Sequence, residues 1–163
     1  MATSPAVDYI EVTRTTYDSL GYPSYRWLYS EEPTPCATPA KPLSESRVGL
    51  VASGGIYVAG QVAFHFKDDT SFRLVPTDVV TADLRTTHFA YDLADSRRDP
   101  NVVFPIDPLR DLVASGVVGE LAPQAITFMG GIYSSRRVRD ELASAITDNL
   151  RRQEVDVVLL VPV

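Results

Sequence analysis

At 163 residues, 45% of them apolar, the chain is long enough to form one globular domain with its own core. A formal net charge of -6 and a pI near 4.8 set it against nucleic-acid phosphates and anionic membrane surfaces, which leaves small molecules and proteins as the expected partners. No apolar run approaches the ~20 residues of a membrane span, and Met1–Val7 lacks the basic-then-apolar order of an export signal. The single cysteine, Cys36, excludes an internal disulfide and fits a reducing, cytoplasmic setting.

The first predicted element is a helix within Val7–Leu20, where Tyr9, Ile10, Val12, Thr13, Tyr17 and Leu20 recur at loose helical spacing until Gly21 and Pro23 stop it. From Trp27 to Pro42, the prolines at 33, 35, 39 and 42 interrupt any hydrogen-bonded segment. Residues 1–43 therefore read as a helix and a Pro-rich extended arm, and residues 44–163 as the sheet core of the same domain. Arg47–Ser53 is the first predicted strand and runs into Gly54-Gly55. Ile56–Phe66 alternates between apolar and small residues, and Ser71–Val75 is another short strand.

Asn101–Phe104 reads as a brief buried strand, after which Asp107 and Pro108 open a helix through Leu109, Leu112 and Val113 that Gly116 closes. Ala125–Met129 is a strand meeting Gly130-Gly131. A long helix from Ser134 or Ser135 then carries Val138, Leu142, Ala145, Ile146, Asn149 and Leu150 on one face. The last strand, Val155–Val161, is apolar on both faces apart from Asp156, as expected of a strand covered by helices on both sides. Strands alternating with helices predict an α/β fold: a mostly parallel open sheet of the Rossmann or flavodoxin-like kind, flanked by helices.

Three features are candidates for chemistry. The strand-to-glycine junctions Ser53-Gly54-Gly55 and Met129-Gly130-Gly131 either make sharp turns or let backbone amides approach a ligand. Neither is a dinucleotide fingerprint or a phosphate loop with its lysine. Were the second junction to lead directly into the Ser134 helix, its amides and dipole would suit an anion such as a substrate carboxylate. The segment Thr87–Asp92 brings the imidazole of His88, the phenol of Tyr91 and the carboxylate of Asp92 within six residues. It is either an acid/base cluster or a loop fixed by a hydrogen-bonded histidine. His65, between Phe64 and Phe66, fits an aromatic-flanked edge position. Cys36, in Pro35-Cys36-Ala37-Thr38-Pro39, has no local partner to lower its pKa. Two histidines without ligand-spaced carboxylates or cysteines make a poor metal site.

Five blocks carry a resemblance that extends over almost the whole chain: Tyr17–Tyr22, Lys41–Val48, Asp99–Asp107, Ser115–Pro123 and Phe128–Tyr133. In their order and spacing they resemble the selenoprotein B family of glycine, sarcosine, betaine and D-proline reductases, and the His88 loop is similar to that family's Ser/Thr-His segment ending in Tyr-Asp. The resemblance implies reductive C–N bond cleavage by a selenol or thiol nucleophile, beside a partner subunit whose pyruvoyl carbonyl activates an amine or amino-acid substrate. A selenol suits this role because it is ionised at neutral pH, where an ordinary thiol is mostly protonated. In the family, a strand resembling Val157–Val163 is followed at once by selenocysteine or cysteine, two further residues and a cysteine. Selenocysteine is encoded by a codon otherwise read as stop. The chain therefore reads as the front part of a longer selenoprotein, inactive as it stands, with a naturally short relative as the other possibility. Cys36 lies where relatives are expected to carry an aromatic residue, so it is no substitute nucleophile. A non-catalytic domain that binds a small molecule or a protein is the competing reading. A chain cut after Val163 leaves its final strand without a covering helix, and the apolar surface so exposed predicts a homo-oligomer in which Val155–Val161, or the face beside it, is covered by a second copy.

Overall fold

The computed structural model describes residues 8–23, 29, 31, 33–35 and 37–163, so that Cys36 and much of the proline-rich arm lie outside the described residues. The chain divides into two compact units, residues 1–37 and 38–163. In the first, helix α1 (Tyr9–Ser19) begins where the Asp8 carboxylate accepts the Glu11 N–H at 3.0 Å, and it stops at Gly21, whose φ of +73° ends helical geometry.

The second unit contains strands β1 (Arg47–Ala52), β2 (Ile56–Val58), β3 (Phe72–Pro76), β4 (Leu84–Thr86), β5 (Glu120–Leu121), β6 (Gln124–Phe128) and β7 (Val157–Val161). Its helices are α2 (Ala94–Arg98), α3 (Ile106–Ala114), α4 (Ser135–Arg137) and α5 (Ala143–Arg152), the last two joined by a π-helical turn, Val138–Leu142. β1 is the centre of the sheet because five of its six residues are buried and it accepts parallel partners on both sides. β7 runs beside Val48–Ala52 on one side. β5 and β6 share the other, pairing with Arg47–Val48 and Val51–Ala52 respectively. Pro123, which has no N–H to donate, separates the two. β3 closes the far edge antiparallel to β6, and β2 and β4 form a separate antiparallel ribbon.

Side-chain alternation along β1 sorts the core into two layers. Leu50 and Ala52 pack with Ile56, Leu84, Phe104, Ile106 and Leu109, which places α3 and the ribbon on one face. Val51 packs with Ile126, Leu142 and Ile146, which places α5 on the other. The result is the expected mixed α/β architecture, a mostly parallel sheet with helices on both faces. Polar contacts pin the amino ends of the strands: Arg47 reaches Glu120 at 2.9 Å and the Gln153 carbonyl at 2.8 Å. Asp156, the one polar interruption of the last strand region, accepts the Arg47 N–H at 2.8 Å and pairs with Lys41 at 2.7 Å.

Four expectations change. Asn101–Phe104 is no strand: Asp99 accepts the Asn101 N–H at 3.0 Å, capping a 3₁₀ turn over Pro100–Val102, while Val103 and Phe104 still enter the core. The last strand is covered only in part: Val161 packs against one core layer and Val158 against the other, while Leu159 and Leu160 stay 39% and 67% exposed. Of Ile56–Phe66 only Ile56–Val58 is extended, so His65 lies in a loop, where its ring stacks on Phe66 at 4.6 Å. Ala145 lies at the margin of the α5 face and is exposed. No helix among the described residues is long and apolar enough to cross a membrane.

Candidate functional site

Because β1, β6 and β7 are parallel, their carboxyl ends emerge together, and this edge brings both glycine junctions into one place. Gly54 and Met129 pair across the gap, with Gly55 N–H donating to the Phe128 carbonyl at 3.0 Å and Gly130 N–H to the Ser53 carbonyl at 2.9 Å. The end of β7 is tied in by the Ser53 hydroxyl, which accepts the Val163 N–H at 2.9 Å. The amides of Gly131 and Ile132 are also taken, by the Met129 sulfur and the Gly130 carbonyl. These glycines thus serve turn and packing geometry, with the amides of Gly55, Gly130 and Gly131 already occupied. Met129 itself is fully buried beneath them.

The His88 loop packs onto these junctions. Gly55 has φ +70°, and a Cβ there would sit 1.9 Å from the Thr87 carbonyl oxygen, so only glycine allows the Thr87 N–H to reach the Gly55 carbonyl at 2.9 Å. At Gly131 a Cβ would fall 2.2 Å from the Phe89 ring. Tyr91 donates its hydroxyl to the Gly54 carbonyl at 2.8 Å and lies 3.4 Å from the hydroxyl of the buried Ser96. Burial raises the Tyr91 phenol above its ordinary pKa, so it remains a proton-bearing donor.

His88 is 8% exposed, and its ring lies 4.7 Å from that of Tyr91 and 5.9 Å from that of Phe89. Its Nδ1 accepts the Ala90 N–H at 3.0 Å, which puts the hydrogen of the neutral ring on Nε2. That Nε2–H is buried and has no acceptor among the described residues. Burial lowers the imidazole pKa below its ordinary value, which keeps the ring neutral. The structure therefore brings His88 and Tyr91 together at the Gly54 junction. Asp92 is spent differently: it is exposed, and its carboxylate accepts the Ala94 N–H at 2.9 Å at the start of α2.

The second junction does not run straight into a helix. Tyr133 N–H donates to the Asp68 carboxylate at 2.7 Å, and the Ser134 hydroxyl caps α4 by accepting the Arg137 N–H, so the anion site conceived there is filled by the chain's own groups. Ser53, Ser96 and Thr127, whose buried hydroxyl donates to the Ile56 carbonyl, hold the edge together. Each is a short polar residue without a sequence signature.

Fold and edge together define an α/β protein that presents its candidate site where the parallel strands end, with a buried imidazole set against paired glycine turns. The chain belongs to the glycine/sarcosine/betaine reductase selenoprotein B family, whose sequence model matches residues 26–163. It is 37% identical over 129 residues to the D-proline reductase subunit gamma of Acetoanaerobium sticklandii, an alignment covering 78% of this chain and 53% of that protein. It is 32% identical over 128 residues to the glycine reductase complex component B subunit gamma of Symbiobacterium thermophilum, covering 75% and 29%. A sarcosine reductase complex component B subunit beta from Peptoclostridium acidaminophilum is 32% identical over 99 residues, covering 55% and 22%. The chain therefore spans about half the length of the first of these relatives and less of the others. No solved structure matches it.

Proposed function

We propose that this chain forms part of a cytoplasmic reductase subunit that cleaves the C–N bond of a small amine or amino-acid substrate with a selenol or thiol nucleophile, assembled as a homo-oligomer and beside a partner subunit. One observation carries this reading: the family match runs through β1, β6 and β7, whose carboxyl ends meet at the edge onto which the His88 loop packs. In the cleavage, the C–N bond is replaced by C–H and N–H, and the two electrons come from a selenol–thiol or dithiol pair that ends oxidised. The nucleophile is expected just after Val163, on the segment that Ser53 holds at this edge, and a pyruvoyl group on the partner subunit is expected to supply the electrophilic carbonyl that engages the substrate amine.

His88 is the candidate acid/base residue: in the neutral ring Nε2–H, its one uncommitted hydrogen, is a hydrogen-bond donor toward the substrate, the Ala90 contact fixes the tautomer, and proton donation requires the ring first to take up a proton. Tyr91 positions the Gly54 turn beneath it. Asp92 acts on the loop by accepting the Ala94 N–H, which fixes the turn that leads into α2. Gly54, Gly55, Met129, Gly130 and Gly131 shape the floor of the substrate site.

The test is to continue the reading frame past Val163 and assay the intact product with its partner subunit, under a dithiol, for amine release from glycine, sarcosine and betaine and for ring opening of D-proline to an open-chain amino acid. Expected are a selenocysteine or cysteine followed three positions on by a second cysteine, substrate-dependent thiol oxidation, and a loss of about 10²-fold or more in turnover for His88→Gln. An unrelated downstream sequence together with ligand binding but no turnover overturns the proposal in favour of a binding domain.

A further inference from the structure

A cavity lies between the β2–β4 ribbon and the α2 to Asn101 segment. It holds about 710 Å³, within the range of small-molecule sites. Tyr57 and Arg85 are register partners across the ribbon, and both line the cavity, as do Arg97, Arg98, Asp99 and Asp107.

The charges in this cleft do not cancel among themselves. Asp107 is committed: it pairs with Arg110 at 2.6 Å and accepts from Thr81 at 2.7 Å and Asn101 at 3.0 Å, contacts that hold its carboxyl below the usual range, the Asn101 bond first among them. Arg98 pairs with Asp95 at 2.6 Å, outside the cleft lining. Arg85 directs one guanidinium nitrogen to the carbonyls of Ala82 and Leu84, each at 2.8 Å, which orients the group without neutralising it. Arg97 has neither an ion pair nor a side-chain hydrogen bond among the described residues, and the structure shows none of its donors committed. Asp99 accepts from Asn101 and is the only acid of the lining without a cationic partner among the described residues. Two uncompensated guanidinium groups thus face one carboxylate, in a chain whose overall charge is -6.

From this we infer that the cleft is a binding site for a small oxyanion, a carboxylate- or phosphate-bearing molecule held by Arg97 and Arg85 with its body against Tyr57. Guanidinium groups recognise both oxyanions through paired N–H donors, and a concave cleft with low-dielectric walls concentrates the field of the two cations. The cleft lining includes no residue of the His88 loop or the glycine junctions, the one direct link being the Thr87 hydroxyl, which donates to the Tyr57 hydroxyl at 3.3 Å.

The test is calorimetric titration of the full chain with succinate and, separately, with inorganic pyrophosphate at low ionic strength, so that the two arms distinguish a carboxylate from a phosphate ligand. Expected is saturable binding of one probe that weakens with salt, falls at least about tenfold in Arg97→Glu and falls less in Arg97→Lys, which keeps the charge and loses the fork. Arg136→Glu makes the same charge change at an exposed site elsewhere and leaves binding within about twofold. Thermal unfolding of the variants identifies folded protein, as expected for changes at exposed side chains. The inference is overturned by absence of saturable binding for both probes or by equal weakening in Arg97→Glu and Arg136→Glu.

Discussion

The imidazole of His88 couples the candidate site to pH. Its Nδ1 is held by the Ala90 N–H and its Nε2–H lies buried, so protonating the ring would break a backbone contact and place a charge in an apolar setting beside Phe89 and Tyr91. The folded-state pKa is accordingly below the ordinary 6.5 of the unfolded chain, and the unfolded state binds the proton more readily. Stability from this group is therefore complete above about pH 6.5 and is lost as the pH falls below that value toward the depressed folded pKa. Asp107, held down by Asn101, and Asp156, held down by Lys41, act in a separate window as the pH approaches 3.8 and below. Urea unfolding at pH 8.5, 7.5 and 5.5 should show midpoints that are nearly level between the first two and fall at the third, and His88→Gln should flatten that fall. A midpoint in the variant that drops as steeply as in the native chain would place the titration elsewhere. That His88, Tyr91 and a glycine turn belong together was legible in part, since the imidazole and phenol are three residues apart. The partner of Tyr91 is 37 residues away, and no local pattern reports a contact that exists only once β1 has ended beside β6.

The helical pattern of the 134–152 region translated well because burial there is one-sided. Leu142, Ile146 and Asn149 are buried where the 3.6-residue period put them, although the turn Val138–Leu142 is wound as a π-helix. Leu142 is 2% exposed and packs with Val51, Ile126 and Ile146 between helix and sheet, so Leu142→Ala should cost about 2–5 kcal/mol of stability, measured by chemical denaturation. Ala145→Ser, on the exposed margin of the same helix, should change stability by less than about 0.5 kcal/mol. Equal effects would mean that the face had been assigned wrongly. Short elements translated poorly, for a different reason. Val102, Val103 and Phe104 favour extended backbone, but Pro100 and the Asp99 cap commit the chain to a turn first. β4 has three residues and is held by register with β2 rather than by propensity of its own, while the reversed direction of β3 depends on which strand it meets. Such outcomes are decided by partners distant in sequence.

Among the described residues the sheet has two edges, β3 and β7, and they are managed unequally. β3, at one edge, is short and ends at Pro76, a residue that cannot extend a ladder. β7, at the other, presents Val157–Val161 with its outward backbone groups unpaired among the described residues, and Leu159 and Leu160 are 39% and 67% exposed. An apolar strand with a free edge is a template for pairing, and two copies meeting by twofold symmetry bury the same leucines on each. Fully burying an exposed leucine contributes about 1.5–3 kcal/mol, and covering the 39% and 67% of surface still exposed on these two contributes those fractions of it. The chain's net charge of -6 opposes association, yet at physiological salt the screening length is about 8 Å, so repulsion between charges spread over two molecules is weak beside a contact made twice. Sedimentation velocity at micromolar concentration should therefore give a dimer or higher species. Leu160→Lys, which places a charge at the edge position most exposed to solvent, should shift it to monomer and remove the dependence of its unfolding midpoint on protein concentration. A native chain that sediments as a monomer, or a lysine variant that stays associated, would move the interface away from β7.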